Sequence, residues 1–113
     1  MTSKLYRRAL VVVALGALAS VPTLNAQPSP AGNVRDAVAH AKEAVDHGKQ
    51  GHADALVTHA EKSRNHAERG GRDPHLKEAI THLNEAIEHG KAGHADAATE
   101  HAETALTHLN EVK

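Results

Sequence analysis

From residue 34 to the C-terminus, apolar side chains return every three or four positions. Val34, Ala37, Val38, Ala41, Ala44 and Val45 form one stripe, and Leu76, Ala79, Ile80, Leu83, Ala86 and Ile87 form a second. Two sparser stripes follow them: Ala53, Leu56, Ala60 and Ala67, then Ala95, Ala98, Ala102, Ala105, Leu106 and Leu109. This spacing gathers the apolar residues on one face of an α-helix. The breaks between stripes carry stop and start signals. Gly48-Lys49-Gln50-Gly51 and Gly90-Lys91-Ala92-Gly93 read as turns, Gly70 as a helix end, and Asp73-Pro74 as an N-cap followed by a first helical residue. Asn33, with Asp36 three residues on, reads as the first N-cap. The pattern predicts helices near 34–47, 52–69, 74–89 and 94–111.

The second half of this pattern repeats the first. A shift of 42 residues lays Asn33–Gly71 on His75–Lys113, with DAVAHAKEAVDHGKQGHADA over EAITHLNEAIEHGKAGHADA. Four helices with short connections predict an all-α fold, an up-down antiparallel four-helix bundle made of two tandem helical hairpins. Its core would be rich in alanine, which lets helices approach closely but buries little area per residue. At about 25 cal/mol per Å² of apolar surface, modest intrinsic stability is expected.

The segment before residue 33 has a different character. Lys4, Arg7 and Arg8 precede an apolar run from Ala9 to Ala19 that is too short to span a bilayer. Residues 1–26 are therefore expected to be a secretory signal peptide, with a cut after Ala26 or an earlier one after Ala19, and an uncleaved anchor as the alternative. Residues 27–32 would be a flexible lead-in and 33–113 the folded domain. Export points to the periplasm.

Polar positions at the edge of the stripes are occupied by histidine to an unusual degree. His40, His47, His52, His59 and His66 are 7, 5, 7 and 7 residues apart; His75, His82, His89, His94, His101 and His108 follow at 7, 7, 5, 7 and 7. At roughly 100° per residue, His40 and His47 lie about 100–120° from the middle of the apolar face of their helix, and the others repeat that offset. One such histidine would pass as an exposed helical residue. A comb of eleven with heptad spacing requires a use, and neutral imidazole is the commonest metal ligand among side chains.

Antiparallel register pairs these histidines. His47 with His52 and His40 with His59 are symmetric about the first turn; His89 with His94, His82 with His101 and His75 with His108 are symmetric about the second. The interface between the second and third helices offers a rival set: His66 with His75, His59 with His82, and His52 with His89. Bundle handedness decides between the two sets, and the sequence leaves it open. In either case successive rungs are expected ~10 Å apart, from seven residues at 1.5 Å each, as separate sites. Asp36, Glu43, Glu78 and Glu85 precede His40, His47, His82 and His89 by four residues. They are candidates for an oxygen ligand or for holding an imidazole tautomer.

Composition removes most competing chemistries. Cysteine is absent and the only methionine is Met1, so no disulfide, thiolate or thioether site exists after the leader. Without Lys4, Arg7 and Arg8, ten basic residues face fourteen acidic ones, a formal charge of −4. That balance favours cations over nucleic acid or anionic membrane. No nucleophile stands in a recognisable catalytic setting, and the D/E-x-x-x-H spacing differs from the E-x-x-H of di-iron bundles, so no enzyme is expected. Copper(II) is the first expectation for an all-nitrogen donor set, with nickel(II) and zinc(II) as alternatives. A histidine-based pH-responsive interaction protein or chaperone is the other class, because imidazole titrates near pH 6.5.

The H-A-K-E-A-V-x-H-G-K-x-G-H core, its repetition and the exported leader resemble the small metal-binding protein family. The resemblance covers Asn33 to Lys113. It implies a periplasmic four-helix bundle that binds several divalent ions, copper(II) foremost, in metal sequestration or tolerance. The positions it matches are His40, His47, His52, His59, His66, His82, His89, His94, His101 and His108, with His75 in addition.

Overall fold

A computed structural model describes residues 28–113. The expected signal peptide, residues 1–26, lies outside the described residues. Four helices follow one another: α1 (Pro30–Lys49), α2 (Ala53–Ala67), α3 (Pro74–Lys91) and α4 (Ala95–Asn110). Each packs antiparallel on its sequence neighbour, and α1 closes the ring against α4. Across the diagonal α2 touches α4. The buried positions of α2 include Ala60, Ser63 and Ala67 and those of α4 Ala98, Thr99, Ala102 and Ala105, small side chains that permit the approach.

The first helix begins four residues before the expected position, which shortens the expected lead-in. Ser29, not Asn33, is its N-cap, accepting from the Gly32 N–H at 3.0 Å, with Pro30 at the first helical position. Proline there loses nothing, because the first N–H groups of a helix have no intrahelical partner. The Pro- and Gly-rich composition of residues 27–32 masked this Ser-Pro start. Asn33 is thus inside the helix and buried, at 4% exposure. Asp73 caps α3 as expected, accepting from His75 N at 2.8 Å; its other oxygen accepts from Lys113 N at 2.9 Å, tying the chain end to the start of α3. These two N–H groups, Lys113 first, hold the Asp73 carboxyl below its ordinary pKa.

Both hairpin turns are closed by the same helix-ending motif. Gly51 and Gly93 adopt φ of 80° and 82°, which L-residues disfavour. The N–H of His52 donates to His47 O, and that of His94 to His89 O, each at 2.9 Å; Gly51 and Gly93 donate to Gly48 and Gly90 O at 3.0 Å. This Schellman pattern brings together the third residue from the helix end and the third beyond it, positions frequently filled by two apolar side chains. Here both are histidine. The five-residue step in the comb is therefore the turn geometry itself.

The core contains the expected stripes: sixteen buried apolar residues, among them Leu56, Leu76, Leu83 and Leu109 with Ala37, Ala41, Ala60, Ala79, Ala98 and Ala102. Ser63 joins them unannounced by the pattern, donating to Ala37 O at 2.7 Å and so linking α2 to the backbone of α1. Lys49 to Glu103 (3.5 Å) and Lys91 to Glu61 (3.7 Å) bridge the two hairpins from equivalent positions of the repeat. Gly48 lets α1 approach both neighbours, since a Cβ there would run into Thr99 Oγ1 and come within 2.7 Å of Leu56 Cδ1. Gly48→Val is expected to destabilise the bundle by about 1–3 kcal/mol through overpacking. Denaturant unfolding checks this, and Thr99→Ala in the same chain should restore part of the loss.

Candidate metal centres

The histidines line two seams, one between α1 and α2 and one between α3 and α4. Nine of the eleven are half-buried, as expected of the edge of a helical stripe; His52 and His94, at the hairpin turns, are exposed. The rings pair within each hairpin: His40 with His59 (5.9 Å between centroids), His47 with His52 (6.0 Å), His75 with His108 (5.5 Å), His82 with His101 (5.6 Å) and His89 with His94 (6.0 Å). The rival pairing across the α2–α3 interface does not occur. The handedness of the bundle turns the histidine edges of α2 and α3 away from each other.

The rungs are not isolated, contrary to the expected separation. His59 also lies 5.1 Å from His47, His66 5.6 Å from His40, His101 5.3 Å from His89 and His108 5.7 Å from His82. These diagonal pairs are nearly parallel, at 6–9° between planes, whereas the rungs are tilted by 25–42°. The cause is elementary helix geometry. Side chains lean toward the N-terminus of their own helix, so partners level at Cα lean in opposite directions along an antiparallel pair. Each ring then slides between two rings of the other helix. The result is a zigzag of five imidazoles in the first hairpin, 52-47-59-40-66, and of six in the second, 94-89-101-82-108-75.

The four expected carboxylates all reach these zigzags, three of them at other histidines than their spacing suggested. Glu43 Oε1 is 3.3 Å from His40 Nδ1 and 3.2 Å from His59 Nδ1; Glu85 Oε1 is 3.2 Å from both His82 Nδ1 and His101 Nδ1. The contact on the same helix is H-x-x-E, because a glutamate leans back over the residue three before it. Asp36, Glu43 and Glu85 thus do not serve the histidines four residues later. Glu78 does: it converges with His82 and His108. Asp36 instead approaches His66 across the seam, at 3.8 Å. Glu111, which the repeat pattern gave no reason to single out, is 3.3 Å from His75 Nδ1. Its position one helical turn after His108 is the signal that was available.

Four three-residue groups result among the described residues: His40, Glu43 and His59; His82, Glu85 and His101; Glu78, His82 and His108; and His75, His108 and Glu111, each with its donor atoms within 4.8 Å of one another. His47, His52, His89 and His94 form imidazole pairs near the turns and belong to none of these groups. His66 also stands apart.

The first of these groups fits a cation on its own evidence. The Nδ1 atoms of His40 and His59 are buried and have no hydrogen-bond partner, although Glu43 Oε1 is near both. The oxygen sits off the line along which a ring N–H would point. Three donor atoms therefore face one small space without satisfying one another, a costly arrangement unless a cation takes the lone pairs. His47 Nδ1 is buried and unpartnered in the same way. Burial lowers the pKa of His59, with the His47 and His40 rings adding to the effect and the Glu43 carboxylate opposing it, so its ring favours the neutral form that can ligate. Imidazole nitrogen with carboxylate oxygen suits divalent first-row metals.

Among the described residues no helix is long and apolar enough to cross a membrane. No curated protein matches the chain. The model of the small metal-binding protein family matches residues 4–112, nearly the entire sequence. The paired imidazoles with shared carboxylates and the extent of that match together show that the chain belongs to the small metal-binding protein family.

Proposed function

We propose that this protein binds several divalent transition-metal ions in the periplasm, copper(II) ahead of nickel(II) and zinc(II), and holds them for storage, buffering or tolerance rather than for catalysis. One observation carries the reading. In both hairpins a glutamate from one helix brings a single oxygen to the Nδ1 atoms of a histidine pair, as Glu43 does for His40 and His59 and Glu85 for His82 and His101. Two imidazoles fix an ion by nitrogen donation, and the carboxylate offsets part of its charge. The remaining positions stay open to water, since Glu43 and Glu85 are about half exposed. Such seats suit uptake and release. The basic, then apolar, N-terminal segment supports export.

Isothermal titration of the chain without residues 1–26 is expected to show more than one copper(II) ion bound at pH 7.5, with nickel(II) and zinc(II) weaker, following the usual affinity order for nitrogen donors. A single site, or no copper binding, would refute the reading. Recovery of the cleaved chain from the periplasmic fraction tests the location.

A further inference from the structure

The two hairpins are copies in sequence but not in what they offer a cation. The repeat sets Asn33 opposite His75, His66 opposite His108, Asp36 opposite Glu78 and Arg69 opposite Glu111. At the end of the second hairpin, His75 Nδ1 and His108 Nδ1 face each other at 3.3 Å with Glu111 beside them. At the equivalent place in the first hairpin, one imidazole is replaced by an amide and the carboxylate by a cationic residue.

Asn33 is held in one orientation. Its Nδ2 lies 3.4 Å from Pro28 O, 3.3 Å from Ser29 O and 3.4 Å from Arg69 O, all acceptors, so this atom is the amide nitrogen. The amide oxygen then faces His66 Nδ1 at 3.1 Å. An amide oxygen can only accept, so the proton of the neutral His66 ring must sit on Nδ1. With that proton in place, His66 has no Nδ1 lone pair. Asp36 is also one methylene shorter than Glu78, and no group like that of Glu78, His82 and His108 forms around it.

We propose that Asn33 locks His66 in the Nδ1–H tautomer and, with Arg69, cancels the metal seats at that end of the first hairpin, leaving the second hairpin as the half with the greater metal capacity. The first hairpin retains the seat of His40, Glu43 and His59. The second has three overlapping seats, consecutive ones sharing His108 or His82. A neutral imidazole has one lone-pair nitrogen, so each shared ring serves one ion at a time. The outer two seats fill together, and the middle one can pass an ion between them.

The capacity statement rests on the metal-binding reading above; the tautomer statement does not. Long-range proton–nitrogen correlation spectra of the metal-free protein at pH 8 should show His66 protonated at Nδ1, and an Nε2–H ring would overturn the lock. In copper(II) titrations, Asn33→His with Arg69→Glu should gain about one equivalent, and His75→Asn should lose about one, since each seat closes around a single ion. If the unmodified chain binds copper while the helical double variant gains none, the capacity claim fails and metal binding stands. Should the double variant not fold, an unchanged stoichiometry in His75→Asn refutes the claim instead. Absence of copper binding by the unmodified chain refutes the function and the capacity claim together, and the His66 spectrum still decides the lock.

Discussion

Copper(II) added at pH 7.5 is expected to raise the melting temperature by roughly 10–20 °C for each seat that it saturates, and the rise should be largely gone at pH 5. A ligand at a hundredfold excess over its dissociation constant stabilises the folded state by about 2.7 kcal/mol per site, provided that the unfolded chain does not bind it. In a domain of this size each kcal/mol moves the transition by about 4–8 °C. The donors of every seat come from both helical segments of a hairpin, so unfolding disperses them. The effect should be easy to see against an alanine-rich core.

The pH dependence follows from the same atoms. Metal binds the unprotonated ring, so acid competes with the metal for imidazole nitrogen. The fold adds its own contribution at His59, whose pKa burial lowers. Because the folded state disfavours the charged ring, the unfolded chain takes up the proton first. Stability from this source is complete above the ordinary histidine value and is lost as pH falls through it toward the lowered one. Asp73 acts in a lower window: its depressed pKa preserves the α3 cap until pH falls below the ordinary carboxylate range, so the cap remains at pH 5. Scanning calorimetry with and without copper at both pH values is the measurement. An equal copper shift at pH 5 and 7.5 would exclude imidazole as the ligand.

The second large effect is expected at His82, which belongs to two of the three seats in the second hairpin. His82→Ala should weaken copper binding there by more than the ~10–100-fold typical of losing a residue that only orients a ligand. His101→Ala removes a donor from the same Glu85 seat. The double variant should lose little more at that seat than either single one, because a lone imidazole and a carboxylate hold the ion weakly. The pair His59 and His82 belongs to different hairpins, so its losses should add. Additive losses at His82 and His101, measured by copper titration, would contradict the shared seat.

Much of the scaffold was legible in the chain because it depends on local periodicity. The apolar stripes, the Asp73-Pro74 start and the glycine turns placed the helices to within a few residues, and the symmetric numbering named the correct hairpin pairs as one of two options. The misplaced start of α1 has a local explanation, since Ser29-Pro30 is a cap that composition disguised as a loop. The partners of Glu43 and Glu85 were misassigned for a directional reason: spacing alone does not say that these glutamates lean toward the N-terminus and meet the histidine behind them, whereas Glu78 meets His82 as its spacing suggested.

The sequence by itself determined four amphipathic helices, their hairpin order, and a row of imidazoles on one edge of each, because hydrophobic period, capping and turn chemistry act over a few residues. Only the tertiary structure decided which interface receives those edges, since bundle handedness is a property of all four helices together. It also decided that the rungs merge into two continuous zigzags, because opposite side-chain tilts interleave only once two helices are packed antiparallel. The burial of Asn33 against the end of α2 is of the same kind: its amide finds Arg69 O and His66 Nδ1 across 36 and 33 residues of chain. Contacts at that separation are set by packing, which local pattern does not encode.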